Sequence, residues 1–189
     1  MDTLALIGGV WQTYDLGLRT VQHLEMFAVS FLITVIAGII LGIVFFSSTN
    51  ARVAGIAMLT TIEMIPDIAL LILLIPVVGI GIPPTVSAAV LYSLLPVARN
   101  TTAGLLGASP HYIETAHAVG LTERETTYHI RFPLALPLIF AGVRIAVIFC
   151  MGVVTLGGII GAGGLGVPLQ TGITTGLSLI HISEPTRPY

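Results

Sequence analysis

Glu63 and Asp67 have the most chemistry to offer in this 189-residue chain, because both stand inside an apolar stretch. A carboxylate at a lipid-facing helix centre costs about 2.5–3.5 kcal/mol. The two should therefore face protein or water, which points to a translocation pathway or a gate. Pro66 between them supports a plainer reading, a broken helix with Asp67 in the first turn of its resumed half, where a negative charge is favourable. Both readings stand at this stage. Arg144, inside another apolar stretch, is the candidate partner for either acid.

The remaining reactive types say more by their spacing than by their presence. His111, His117 and His129 are not four residues apart, so no two stack as ligands on one helix face, and no bound metal is expected. The run GAGGLG at 161–166 matches the dinucleotide fingerprint by letter. That fingerprint needs a strand before it and a helix after it, whereas here a membrane span precedes and Pro168 follows. Close helix packing or backbone freedom at the outer surface is the better reading. Cys150, the only cysteine, excludes internal disulfides and reads as a small buried hydrophobe. All seven basic residues are arginine, so a P-loop and a Schiff-base enzyme are excluded as well. No cofactor is expected on this chain.

Only 8% of the residues are charged and 55% are hydrophobic, with a mean hydropathy of +1.02. Residues 26–51, 68–98 and 145–183 carry no charge at all. A helix needs roughly 20 apolar residues to cross a bilayer core, and the alternation of a membrane barrel is absent. The fold class is an all-α polytopic membrane protein. Four spans are expected, at 26–46, 53–79 (interrupted by Glu63, Pro66 and Asp67), 85–99 and about 136–158. The first ten residues lack a basic region, so no cleaved signal peptide is expected. Arg52, Arg99, Arg124 and Arg131 fall on one side under alternating topology, and Arg19 falls on the other. Cytoplasmic loops collect arginine, so the amino terminus is expected outside.

That topology puts one polar island in the cytoplasm. Residues 111–132 hold five of the sixteen charged residues and three of the five histidines. The island parses as helix, glycine turn, helix. Ser109 and Pro110 open the first helix, Gly120 ends it in a left-handed conformation, and Thr122 to Glu125 fits a capping box. Pro133 and Pro137 mark the return to the membrane.

Glu114-Thr115-Ala116 with Gly120, followed after nine residues by Ile130-Arg131-Phe132-Pro133, resembles the EAA loop that identifies membrane permeases of ABC importers. Thr115 replaces the family's alanine and Phe132 its leucine. The resemblance runs over about 18–176 and implies the MetI-like permease core. The stretch from IPDIALLILLIP through SLLPVARNTTAGL, with FPLALPLIFAGVRIAV, is similar to the branch that imports glycine betaine, choline, carnitine and related quaternary amines. That branch often has glutamine where this chain has Glu63.

The resemblance implies a transport subunit and not an enzyme, in a bacterial inner membrane. Two permease subunits, the same or homologous, form the pathway, and an extracytoplasmic binding protein delivers the solute. Two separate ATPase chains use the ATP, and the island docks onto them through Glu114, Thr115, Ala116, Gly120, Ile130 and Pro133. No nucleic acid is involved. Another small solute such as methionine is the alternative cargo. An intramembrane enzyme is the alternative class, and no nucleophile–base pair supports it. The family continues with a fifth span, whereas here residues 176–189 turn polar and proline-bearing. The permease domain is therefore set at 1–176, with the coupling loop at about 108–133, and 177–189 reads as a foreign junction.

Overall fold

The structure, a computed structural model, describes residues 3–174, so the tail at 177–189 lies outside the described residues. Those residues form helices and no strand. α1 (Thr3–Thr13) leads through a left-handed Asp15 into α2 (Leu16–Ser47). α3 (Thr49–Glu63) and α4 (Asp67–Val78) follow, then α5 (Ile82–Leu106). The polar island contributes α6 (Pro110–Ala118) and α7 (Glu123–Thr126). A π-helical turn (Thr127–Arg131) enters α8 (Phe132–Leu156), and a 3-10 turn (Gly157–Ile160) leads to α9 (Gly166–Thr174).

α5 is the centre of the bundle, packed chiefly against α2 and α8. Small residues make the approach close. A Cβ on Gly38 of α2 would come within 2.6 Å of Val97 Cβ, and one on Gly42 within 2.7 Å of Thr101 Cγ2. On α8, a Cβ on Gly142 would sit 2.6 Å from the Pro96 carbonyl oxygen. In lipid, association rests on such packing and on interhelical hydrogen bonds. The Thr102 hydroxyl supplies one, lying 2.8 Å from the Ala98 carbonyl and 3.1 Å from that of Gly42. Cys150 is fully buried where α2, α5 and α8 meet, with its sulfur 3.2 Å from Ser93 Oγ and 4.0 Å from Thr34 Oγ1. It packs as the small buried residue expected, with polar company added.

The outward faces carry the opposite pattern. Leu18, Val21, Leu24, Val29, Leu32, Ile36, Ile40 and Ile43 are all exposed along α2. Such a stripe would be an aggregation hazard in water, and it suits hydrocarbon.

Among the described residues, length and apolarity qualify α2 and the stretch Glu123–Ile160 as spans, or three if α3 and α4 count as one. α3 and α4 are bent by 100° at their break, where Pro66 removes a donor. α5 has the length, at 25 residues. Its buried Thr85, Ser93, Thr101 and Thr102 lower its apolarity, and their shelter inside the bundle makes that tolerable. The expectation of four spans is corrected: by length and apolarity the described residues hold two, or three if α3 and α4 count as one.

Candidate functional site

The island closes one end of the bundle, beyond the ends of α2 and α5. Its first helix starts at Pro110, but the Ser109 side chain makes no cap bond; the Ser109 carbonyl instead accepts from Tyr112 and Ile113. The far end closes as a Schellman motif. Gly120 has φ +90°, its N–H donates to the His117 carbonyl at 3.0 Å, and the Leu121 N–H donates to that of Ala116 at 3.0 Å. A Cβ on Gly120 would meet nothing within 4 Å, so the turn presents bare backbone outward. The capping box of α7 is complete: Thr122 Oγ1 accepts from the Glu125 N–H, and Glu125 Oε2 accepts from the Thr122 N–H at 2.9 Å. Those bonds favour the ionised carboxylate and hold the Glu125 pKa below its ordinary value. His117 and Glu123 approach to 3.4 Å, pinning α6 to α7 across the glycine turn.

The island residues singled out from sequence divide by face. Glu114, Thr115 and Gly120 are exposed, whereas Ala116 is buried beneath them. Ile130 is half-buried in the π turn, and Pro133 is exposed in the first turn of α8. Thr115 donates its hydroxyl to the His111 carbonyl at 2.8 Å, so its extra polarity is satisfied within α6. Sequence reasoning missed Arg131. Its guanidinium carbon lies 5.4 Å from the centroid of the Phe46 ring, and Nη1 reaches the Leu105 carbonyl at 3.5 Å. The one available signal was an arginine in the variable position of the motif.

Glu63 and Asp67 do come together. They flank a cleft of about 370 Å³ with Tyr92 of α5 and Ile148, Phe149, Gly152 and Val153 of α8. Both proposed readings of this segment have a physical basis here, since the helix breaks at Pro66, Asp67 opens α4, and the carboxylates border a cavity. Arg144 is exposed on α8 and forms no ion pair within 4 Å among the described residues. Tyr92 and Phe149 were not anticipated, because the elements that carry them meet only in three dimensions.

The glycine run lies at the opposite end of the bundle. Gly161, Gly163 and Gly164 all have positive φ, and the Gly164 N–H donates to Gln22 Oε1 of α2 at 3.1 Å. Gly158 and Gly166 face each other's backbone with no room for a Cβ. The run is a tight helix-to-helix junction, as its surroundings in sequence suggested. No group of three or more candidate metal ligands occurs among the described residues.

This architecture has known counterparts. Residues 34–178 match the family described as "Binding-protein-dependent transport system inner membrane component". The chain belongs to that family. The osmoprotectant import permease OsmW of Salmonella typhimurium is 38% identical over 160 residues, covering 82% of this chain and 74% of its own. The choline transport permease OpuBB of Bacillus subtilis is 32% identical, covering 78% and 68%. Among solved structures, the inward-facing MetNI methionine ABC transporter matches with a TM-score of 0.71 at 26% identity, covering 90% of this chain and 83% of that one. The protein is thus an ABC importer permease with the MetI-like fold, a multi-pass inner-membrane transport subunit and not an enzyme. Its system includes a binding protein and an ATPase, and the latter uses the ATP.

Proposed function

We propose that this permease moves a quaternary-amine osmoprotectant, such as glycine betaine, choline or carnitine, across the membrane. The observation that carries the reading is the Schellman-closed α6 with its bare Gly120 turn, set at the end of a bundle whose sequence relatives are named for osmoprotectants and choline. The methionine transporter shares the fold at 26% identity and supports methionine as cargo less well.

In this reading the island faces the cytoplasm and the amino terminus lies outside, because Arg52, Arg124 and Arg131 cluster at the island end while Arg19 sits at the other. A second permease subunit, identical or homologous, completes the pathway, with one ATPase beneath each. Glu114, Thr115 and Gly120 form the docking surface, with Ala116 under it and Ile130 and Pro133 leading into α8. The cleft at Glu63 and Asp67 lies on the pathway. Two carboxylates beside Tyr92 and Phe149 suit a cation that cannot donate hydrogen bonds, since aromatic faces attract it and acids balance its charge.

Uptake of labelled choline and glycine betaine into vesicles, with the ATPase and binding protein present, tests the proposal. ATP-dependent, salt-stimulated accumulation is expected. Uptake of methionine in place of both would remove the osmoprotectant reading.

A further inference from the structure

The path from the island into the membrane runs through two soft points. α7 passes into a five-residue π-helical turn, Thr127–Arg131, whose wider i→i+5 bonding (Phe132 N–H to the Thr127 carbonyl) interrupts the regular helix. Pro137 then removes a donor inside α8, while Pro133 stands in its first turn. A push on α6 would bend this junction before it moved α8, unless something braces it.

Arg131 is placed to do so. It is the last residue of the π turn, so it moves with the start of α8. Its guanidinium lies against the Phe46 ring, next to the last residue of α2. Its Nη1 donates to Leu105, one of the last four carbonyls of α5, which have no partner inside their own helix. A cation there also faces the negative end of the α5 dipole. One side chain therefore bridges the ends of all three helices that pack at the bundle centre.

We propose that Arg131 is a positioning residue for energy coupling: it ties α2, α5 and α8 into one body at the island end, so that displacement of the docking surface reaches the cleft walls. Those walls are Tyr92 on α5 and Phe149 and Gly152 on α8. The proposal rests on the docking role given to the island above.

The test uses the full complex in vesicles and a readout that does not depend on cargo. Gly152 borders the cleft and a Cβ there meets nothing within 4 Å, so Gly152→Cys supplies a thiol for maleimide labelling. ATP should change its labelling rate in the parent complex. Arg131→Met and Phe46→Leu, each added to Gly152→Cys, should retain the ATPase and its hydrolysis but reduce that ATP-dependent change about tenfold, the size of one lost charged contact. Arg131→Lys, which keeps the charge over the ring, should recover part of it. An undiminished change in Phe46→Leu, or in an assembled Arg131→Met complex, overturns the proposal. Loss of ATPase binding in Phe46→Leu overturns it too, because the contact would then only shape the docking surface. If Arg131→Met does not assemble, Phe46→Leu decides alone. Absent choline and betaine uptake alongside an intact ATP response would count only against the cargo.

Discussion

The Thr102 hydroxyl of α5 reaches the Gly42 carbonyl of α2 at 3.1 Å, across a contact so close that α2 carries no side chain at that point. The two partners are unequal in importance. Packing in lipid depends on the close approach, whereas an interhelical hydrogen bond contributes only about 0.6 kcal/mol on average.

Gly42→Leu should therefore be severe, since even a Cβ would collide with Thr101 and sit 2.9 Å from the Ala98 carbonyl. Overpacking of this kind costs about 1–3 kcal/mol or more, whereas Thr102→Val should cost under about 1 kcal/mol. Thermal unfolding in detergent measures both. Equal stability of the two variants would contradict the assigned packing.

Gly120→Ala and Gly120→Trp carry the same backbone strain, because φ is +90° in either. Neither Cβ meets a neighbour inside the chain. The alanine variant thus reports the backbone strain alone, and the excess defect of the tryptophan variant reports the added bulk on the exposed turn. ATP-dependent uptake should be impaired far more by tryptophan, with membrane insertion unchanged. Glu114→Lys should act in the same direction, and normal uptake in both would remove the docking role.

The capping box gives a pH dependence of definite sign. The folded-state pKa of Glu125 lies below the unfolded value of about 4.5, so its stabilising contribution is present above that value and lost as pH falls through the lower one. The amide resonance of Thr122 should follow this titration with a midpoint below 4.5. Glu125→Gln should abolish the movement while leaving α7 formed, because glutamine can still accept from the Thr122 N–H.

Neutralising the cleft should discriminate by cargo charge. Glu63→Gln with Asp67→Asn should depress uptake of cationic choline more than that of net-neutral glycine betaine. Equal losses would mean that the acids serve the helix break and not the passenger. Charge exchange between Glu63 and Arg144 should not preserve uptake, because Arg144 lies exposed on α8 and forms no ion pair within 4 Å among the described residues.

Much of this was legible in sequence because it depended on neighbours along the chain. The Gly120 turn, the Thr122 to Glu125 box and the Pro66 break are set within a few residues each, and their chemistry is written in residue types. Ser109 shows the limit even there: its carbonyl, not its hydroxyl, opens α6. What depends on residues distant in sequence was not legible. Arg131 meets Phe46 across 85 positions only because α2 and the island share one end of the bundle, and Tyr92 reaches Glu63 and Asp67 only because α5 is central. The apolar pattern also overstated uniformity, since α5 can be polar where α2 and α8 enclose it.

The bond from Gly164 to Gln22 joins residues 142 positions apart. At roughly 5–20 residues per second, a ribosome needs about 7–28 s to make the chain between them. For that interval Gln22 near the start of α2 lacks this partner. That bond can form only after the helices between Gln22 and Gly164 have been synthesised, so it joins the first long helix to one of the last described elements.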